Sequence, residues 1–274
     1  MRAERNTQLI DRLTLAPLTN FDLGGFFAVV AALAAFRFGV LTGAGAFVAF
    51  VVGTCVYGSG GLPDALVLFA FFIPAIAISG IGRARKGRLN VDIGKLGARD
   101  AGQVFANGGA AAICALFALS TYTPWHAAFA GALAAAAADT WGTELGTLTS
   151  QRPRSILTGR FVAAGLSGGI TVSGTLAELL GAAFIASTAA LLHVGPWFAI
   201  FAGGVAGALV DSLLGASAQA LRFCAACQRA CENEPHSCGA NTALIRGAAW
   251  MSNDAVNFLA TVSGATVAAL LFSR

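Results

Sequence analysis

The chain has 274 residues, of which 57% are hydrophobic and 11% charged, with a net charge of +4. A soluble domain would carry about 25% charge, so composition excludes an ordinary soluble globule, a disordered chain and a nucleic-acid binder. With 34 glycines and a mean hydropathy of +0.74, the sequence reads as an all-α polytopic bundle of seven or eight transmembrane helices, one integral membrane domain over residues 1–274. Glu4, Asp11 and Arg12 interrupt the first twenty residues, and Leu13 to Leu18 is too short for a signal-peptide apolar core. That segment is expected to be a polar or interfacial lead-in. Spans are predicted at 22–41, 44–58, 63–82, 101–120, 125–149, 171–192, 197–221 and 252–272. The second is short and bounded by glycines, so it is read as tilted, half-inserted or fused with the first. Arg37 lies inside the first.

Short loops rich in Lys and Arg stay cytoplasmic. Residues 83–99 carry Arg83, Arg85, Lys86, Arg88, Lys95 and Arg99. The 150–160 loop carries Arg152, Arg154 and Arg160, and the 222–246 loop carries Arg222, Arg229 and Arg246. Two helices separate each loop from the next, so all three fall on one face. The 121–124 and 193–196 loops hold no Lys or Arg, and Trp125 and Trp197 open helices on that opposite side. An odd number of spans before residue 83 places Arg2, Arg5 and Arg12 outside, which is the poorest fit to the rule.

Ionisable groups at membrane depth are expensive and need a partner or a job. Asp139, Glu144, Glu178, Asp211 and Asp254 all lie in predicted helices, in the cytoplasmic half or near mid-depth. Glu178, within TLAELLG, is the weakest member of the set and is expected to pair with a neighbouring helix. Lys95, Arg99, Asp100 and Asn107 lie at the cytoplasmic entry of the fourth span. Asn253 and Asn257 share a helix face, with Asp254 adjacent, and Asp211 is followed by Ser212. Carboxylates with amide and hydroxyl oxygens are hard ligands suited to Mg²⁺, and Mg²⁺ in a basic cleft points to phosphates. In GLSGGIT, residues 165–171, Ser167, Gly168 and Gly169 precede a helix and can offer backbone N–H groups to an anion. The alternative is a flexible turn, just as NDAVN can serve simply as a polar helix start.

Cys224-x-x-Cys227 followed by His236-x-Cys238 supplies four ligands for a tetrahedral, structural Zn²⁺ inside the 222–246 loop. Cys231 is an extra candidate, and Cys55 and Cys114, in apolar helices, are expected to be inert. A reducing cytoplasm argues against disulfides here.

Taken in order, RDAGQVFANG (99–108), ADTWGTELG (138–146), SGGIT (167–171), DSLLGA (211–216), HSCG (236–239) and NDAVN (253–257) carry a resemblance. The chain resembles the integral-membrane family that contains plant phytyl-phosphate kinase of the vitamin E pathway and bacterial relatives. It departs where the family commonly has Thr and Asn before the paired glycines; here Leu166 and Ser167 stand there. The resemblance implies phosphoryl transfer from a nucleoside triphosphate, CTP or ATP, to a prenyl monophosphate at the cytoplasmic face of a bacterial inner membrane.

On that reading Asp139, Glu144, Asp211 and Asp254 bind Mg²⁺, and Asn107, Ser212, Asn253 and Asn257 orient ligands. Lys95, Arg99, Arg152 and Arg154 contact phosphates, with Asp100 beside them, and the Ser167–Gly169 backbone cradles one phosphate. The prenyl tail leaves sideways into the bilayer. Two rivals use the same features: a CTP-dependent lipid-phosphate cytidylyltransferase, and a transporter with midplane carboxylates on broken helices. A transporter should also show polar groups in the outer half, where Asp64 is the main exception.

Overall fold

Five consecutive alanines, residues 134–138, sit in the middle of α4 (Trp125–Gly146), and every residue from His126 to Ala138 is buried. A helix that is apolar all round belongs at the centre of a bundle, and α4 packs against five neighbours. Those are α2 (Gly43–Lys86), α3 (Ala101–Ala118), α5 (Val172–Leu191), α6 (Trp197–Ser217) and α7 (Asn253–Phe272), while α1 (Arg2–Arg37) packs on α2. The computed structural model describes the backbone of residues 2–86, 97–120 and 124–273, with side chains from residue 20 onward except 82–96. Six of the described helices are long and apolar enough to cross a membrane.

Although α2 runs for 44 residues, it is two helices joined at Gly61, whose φ of 64° and ψ of −150° are open to glycine but strained for other residues. Pro63 follows at once. The backbone carbonyl of Arg99 abuts Gly45, while its guanidinium donates to the Ala75 carbonyl at 3.4 Å. A straight helix would put Gly45 and Ala75 about 45 Å apart, so the chain doubles back at Gly61. The limbs 43–60 and 62–86 therefore match the second and third predicted spans.

Where α4, α6 and α7 meet, backbones touch. A Cβ at Gly131 would lie 2.7 Å from the Gly264 carbonyl, and one at Gly203 would lie 2.5 Å from the same oxygen. Small residues permit this approach in lipid, where helices gain little from apolar burial. Thr261 Oγ1 adds a cross-link to the Ala106 carbonyl of α3 at 3.1 Å. Gly264→Leu is expected to destabilise the protein by about 3 kcal/mol through overpacking. Thermal unfolding in detergent checks this, and an unchanged midpoint would contradict the packing.

The ends of the bundle differ. One end carries Gly61, Pro124 and residues 192–196, with Asp64 Oδ2 3.1 Å from His126 Nδ1. At the other end lie Arg99, the 147–171 segment and the 218–252 segment. Here β1 (Arg154–Ser155) pairs antiparallel with β2 (Gly169–Ile170). A second sheet runs in the order β4-β3-β5, from β3 (Leu221–Cys224), β4 (Arg229–Cys231) and β5 (Ala243–Arg246). The expected Cys/His loop is thus a small three-stranded sheet.

Candidate functional site

Carboxylates from three adjacent helices meet at the basic end. Asp211 of α6 lies in the field of Asp139 of α4, of Glu178 and of Glu232. Asn257 of α7, with its amide nitrogen facing the acceptors, donates to Asp211 Oδ2 at 3.0 Å and to the Asn253 carbonyl at 3.2 Å. Glu178 of α5 lies over Gly142; a Cβ there would come within 2.8 Å of Glu178 Oε1. The side chain read as the weakest member is therefore part of the cluster, seated by a glycine one turn beyond Asp139. Ser212 is half-buried beside Asp211.

A second branch leaves α4 through Glu144. Ser79 Oγ donates to Glu144 Oε1 at 3.1 Å, and the Arg99 guanidinium donates to Ser79 Oγ at 3.3 Å. Backbone bonds fix Arg99: its N–H donates to the Val40 carbonyl and its carbonyl accepts from Thr42. Asp100 caps α3, accepting from the Gln103 N–H at 3.0 Å, while Gln103 Oε1 accepts from the Asp100 N–H. Asp254 joins the same corner, since a Cβ on Gly102 would fall 2.6 Å from Asp254 Oδ2 and 3.4 Å from Asp100 Oδ1. Asn107 donates to the Gln103 carbonyl at 3.0 Å and faces an apolar cavity between α1, α2 and α3. Lys95 lies outside the described residues.

The arginines of the 150–160 loop stack on one ring. Arg152 and Arg154 lie 4.8 and 4.1 Å from the Phe161 centroid, and Arg154 donates to the Gly159 carbonyl at 3.0 Å. Both remain exposed. Gly168 adopts φ 77° and presses on Ala216 of α6.

The glycine loop does hold an anion, but one supplied by the chain. Ser167 N–H and Oγ each donate to the Glu232 carboxylate at 2.9 Å, and Gln219 Nε2 donates to Glu232 Oε2 at 2.8 Å. The Gly169 N–H donates to the Leu166 carbonyl at 3.1 Å. The phosphate cradle read from Ser167 to Gly169 is revised accordingly, because two of its amides already have internal acceptors. Burial pushes the Glu232 carboxyl above its usual range, against the opposing pull of its hydrogen bonds to Ser167 and Gln219. Nothing local marks Glu232 or Gln219 in the sequence; their partner is 65 residues away for one and 52 for the other. Ser79 gave only the weak signal of a hydroxyl in an apolar helix.

Glu232 belongs to the Cys/His sheet, where the four predicted ligands converge. Cys224, Cys227, His236 and Cys238 present atoms that all lie within 4.8 Å of one another. Cys224 Sγ is 3.7 Å from Cys238 Sγ, and Cys227 Sγ is 3.7 Å from His236 Nδ1. Zn–S bonds near 2.3 Å in a tetrahedron imply ligand separations of roughly 3.8 Å. The cluster is therefore shaped to bind a metal such as zinc. The Ala240 backbone and then His236 pull the Cys238 thiol down to about 6, favouring the thiolate that ligates metals. Cys231 is buried but turned away, with Sγ 3.9 Å from the Asn233 carbonyl.

Comparisons with known proteins agree with this architecture. The chain is 30% identical over 209 residues to an uncharacterized membrane protein of Methanocaldococcus jannaschii, covering 76% of this chain and 75% of that one. It is 30% identical over 269 residues to Protein PGR of Arabidopsis thaliana, covering 85% and 91%. It is 26% identical over 243 residues to the chloroplastic Protein VTE6 of Arabidopsis thaliana, covering 84% of this chain and 65% of that protein. No solved structure is significantly similar. A match to the integral membrane protein family DUF92 spans residues 26–265, and the chain belongs to that family.

Proposed function

We propose that the protein is a membrane prenyl-phosphate kinase. The observation that carries this reading is the meeting of Asp139, Glu178, Asp211 and Asn257, from four helices, at the basic end of the bundle. The distant relationship to VTE6, the plant phytyl-phosphate kinase, supports the substrate class. Carboxylates packed this closely repel one another, and a hard divalent cation offsets that repulsion. Asp139, Glu144, Asp211 and Asp254 would hold Mg²⁺, with Glu178 added to the set. The ion's contribution is to neutralise charge on the two phosphate-bearing substrates.

Phosphoryl transfer needs mainly positioning and electrostatics. The terminal P–O bond of the nucleoside triphosphate breaks, and a new one forms to an oxygen of the prenyl monophosphate. That oxygen is already ionised, so no strong base is required. Arg99, steadied by Ser79, holds the lipid phosphate, while exposed Arg152 and Arg154 meet the nucleotide from the loop. Asn253, Asn257 and Ser212 orient ligands. The arginine-bearing 150–160 and 222–246 loops at this end support a cytoplasmic site. The Cys/His sheet is assigned a structural Zn²⁺.

The test is to incubate purified protein with Mg²⁺, CTP or ATP, and a panel of prenyl monophosphates, and to read the lipids by mass spectrometry. A prenyl diphosphate with the nucleoside diphosphate is the expected product. A CDP-lipid with pyrophosphate, or no new lipid, overturns the reading.

A further inference from the structure

Between α1, the two limbs of α2 and α3 lies a cavity of about 110 Å³ with an overwhelmingly apolar lining. Phe27 and Ala31 of α1, Val52 of the first α2 limb, Leu68 and Phe71 of the second, and Val104 of α3 form its walls. Its polar members are few, and three of them, Arg99, Gln103 and Asn107, lie at the start of α3, at the basic end. Tyr57 borders the far end, near Gly61. Phe27 and Phe69, both on the lining, are also exposed on the outer surface of the bundle, at 50% and 38%. A chain dissolved in the hydrocarbon layer therefore has a side entrance.

We infer that this cavity seats the hydrocarbon chain of the substrate, with its phosphate against Arg99, and that it limits chain length. The inference rests on the kinase reading and gives it a second site. The asymmetry of the lining argues for a single-chain amphiphile with an anionic head. A guanidinium carries five donors, and the two contacts described for Arg99, at 3.4 and 3.3 Å, leave others to hold a phosphate. Through Ser79 and Glu144 the same guanidinium connects to the acidic end of α4, where the phosphoryl group must arrive. The lining on α1 runs from Gly24 to Ala35, about 16 Å at roughly 1.5 Å per residue. An isoprene unit adds four chain bonds, or roughly 5 Å, so the lining is about three units long, although a cavity this narrow encloses only part of such a chain and leaves the rest along its open side. Longer chains must emerge past Phe27 and Phe69.

Native mass spectrometry of the full chain, without nucleotide, tests this against geranyl monophosphate, geranylgeranyl monophosphate and geranylgeraniol. Ala31→Leu narrows the middle of the cavity and is expected to shift the binding ratio toward the geranyl compound by about tenfold. Arg99→Gln is expected to weaken both monophosphates and spare the alcohol. An unchanged chain-length ratio in the first variant, or unchanged monophosphate binding in the second, overturns the inference. A photoreactive group on the distal end of geranylgeranyl monophosphate provides a readout on unmodified protein. Labelling of α1 and α2 supports the cavity, and labelling confined to α5 and α6 refutes it. Because binding needs no turnover, chain-selective binding without transfer would leave the cavity standing and remove the kinase. Transfer with the same chain preference in Ala31→Leu would do the reverse.

Discussion

Asp139→Asn and Asp211→Asn are each expected to lower turnover by about 10²-fold or more, while the metal-free protein melts at a higher temperature than wild type. The two effects share one cause. Asp139 and Asp211 lie in each other's field across the α4–α6 contact, with Glu178 beside them. Without a cation, such a group of acids repels itself and opposes helix packing. Replacing one acid by its isosteric amide relieves the repulsion and supplies a donor to the remaining carboxylate, so the midpoint should rise by a few degrees, about 3 °C per kcal/mol for a chain of this size. Gain of stability with loss of function is the mark of a site held together against its own preference. A structural ion pair would behave in the opposite way. Turnover by lipid mass spectrometry and melting in detergent with and without Mg²⁺ read both effects. Wild-type rates in both variants would remove the metal assignment, and lower melting points would turn the cluster into a packing feature.

Much of this arrangement was legible in the sequence because membrane helices announce themselves by length and apolarity. The predicted spans fall on the described helices, two of them on the limbs of the hairpin hidden in one 44-residue α2. The glycines bounding the second span left it tilted, half-inserted or fused with the first; the reversal at Gly61 is seen only from Arg99 touching both limbs. The four side chains of the candidate metal site were readable from CxxC and HxC spacing, since both pairs are local. Contacts between distant segments were not readable. GLSGGIT was seen as a set of donors, but nothing in its vicinity says that the acceptor is Glu232. Asp100 and Asn107 were grouped with the acids by position along α3, yet one caps the helix and the other faces the apolar cavity. Spacing along a helix gives depth, whereas the neighbour a side chain faces depends on how the helices are rotated.

Purified protein is expected to hold about one zinc per chain, and Cys224→Ser to lose it without unfolding the bundle. The sheet that carries the ligands has strands of four, three and four residues. Strands this short bury too little apolar surface to fold alone, and Leu244 and Ile245 of β5 are exposed. Metal binding in comparable small sites contributes on the order of 10 kcal/mol at neutral pH, enough to decide whether such a sheet exists. Its links to the bundle are the Glu232 carboxylate on Ser167 and Gln219, and Arg246, which donates to the Gly215 carbonyl at 2.8 Å. Loss of the metal should free the ligand segment first. Proteolysis within residues 225–242 is therefore expected to speed up by about tenfold or more in Cys224→Ser, while the melting of the helices is preserved. Releasing Glu232 also takes a carboxylate from the field of Asp211 and returns the Ser167 donors to solvent. Turnover of the variant, measured in excess Mg²⁺, should therefore fall without vanishing. Elemental analysis that finds no zinc in never-chelated protein, or a variant as resistant to protease as wild type, would show that hydrogen bonds alone hold this sheet.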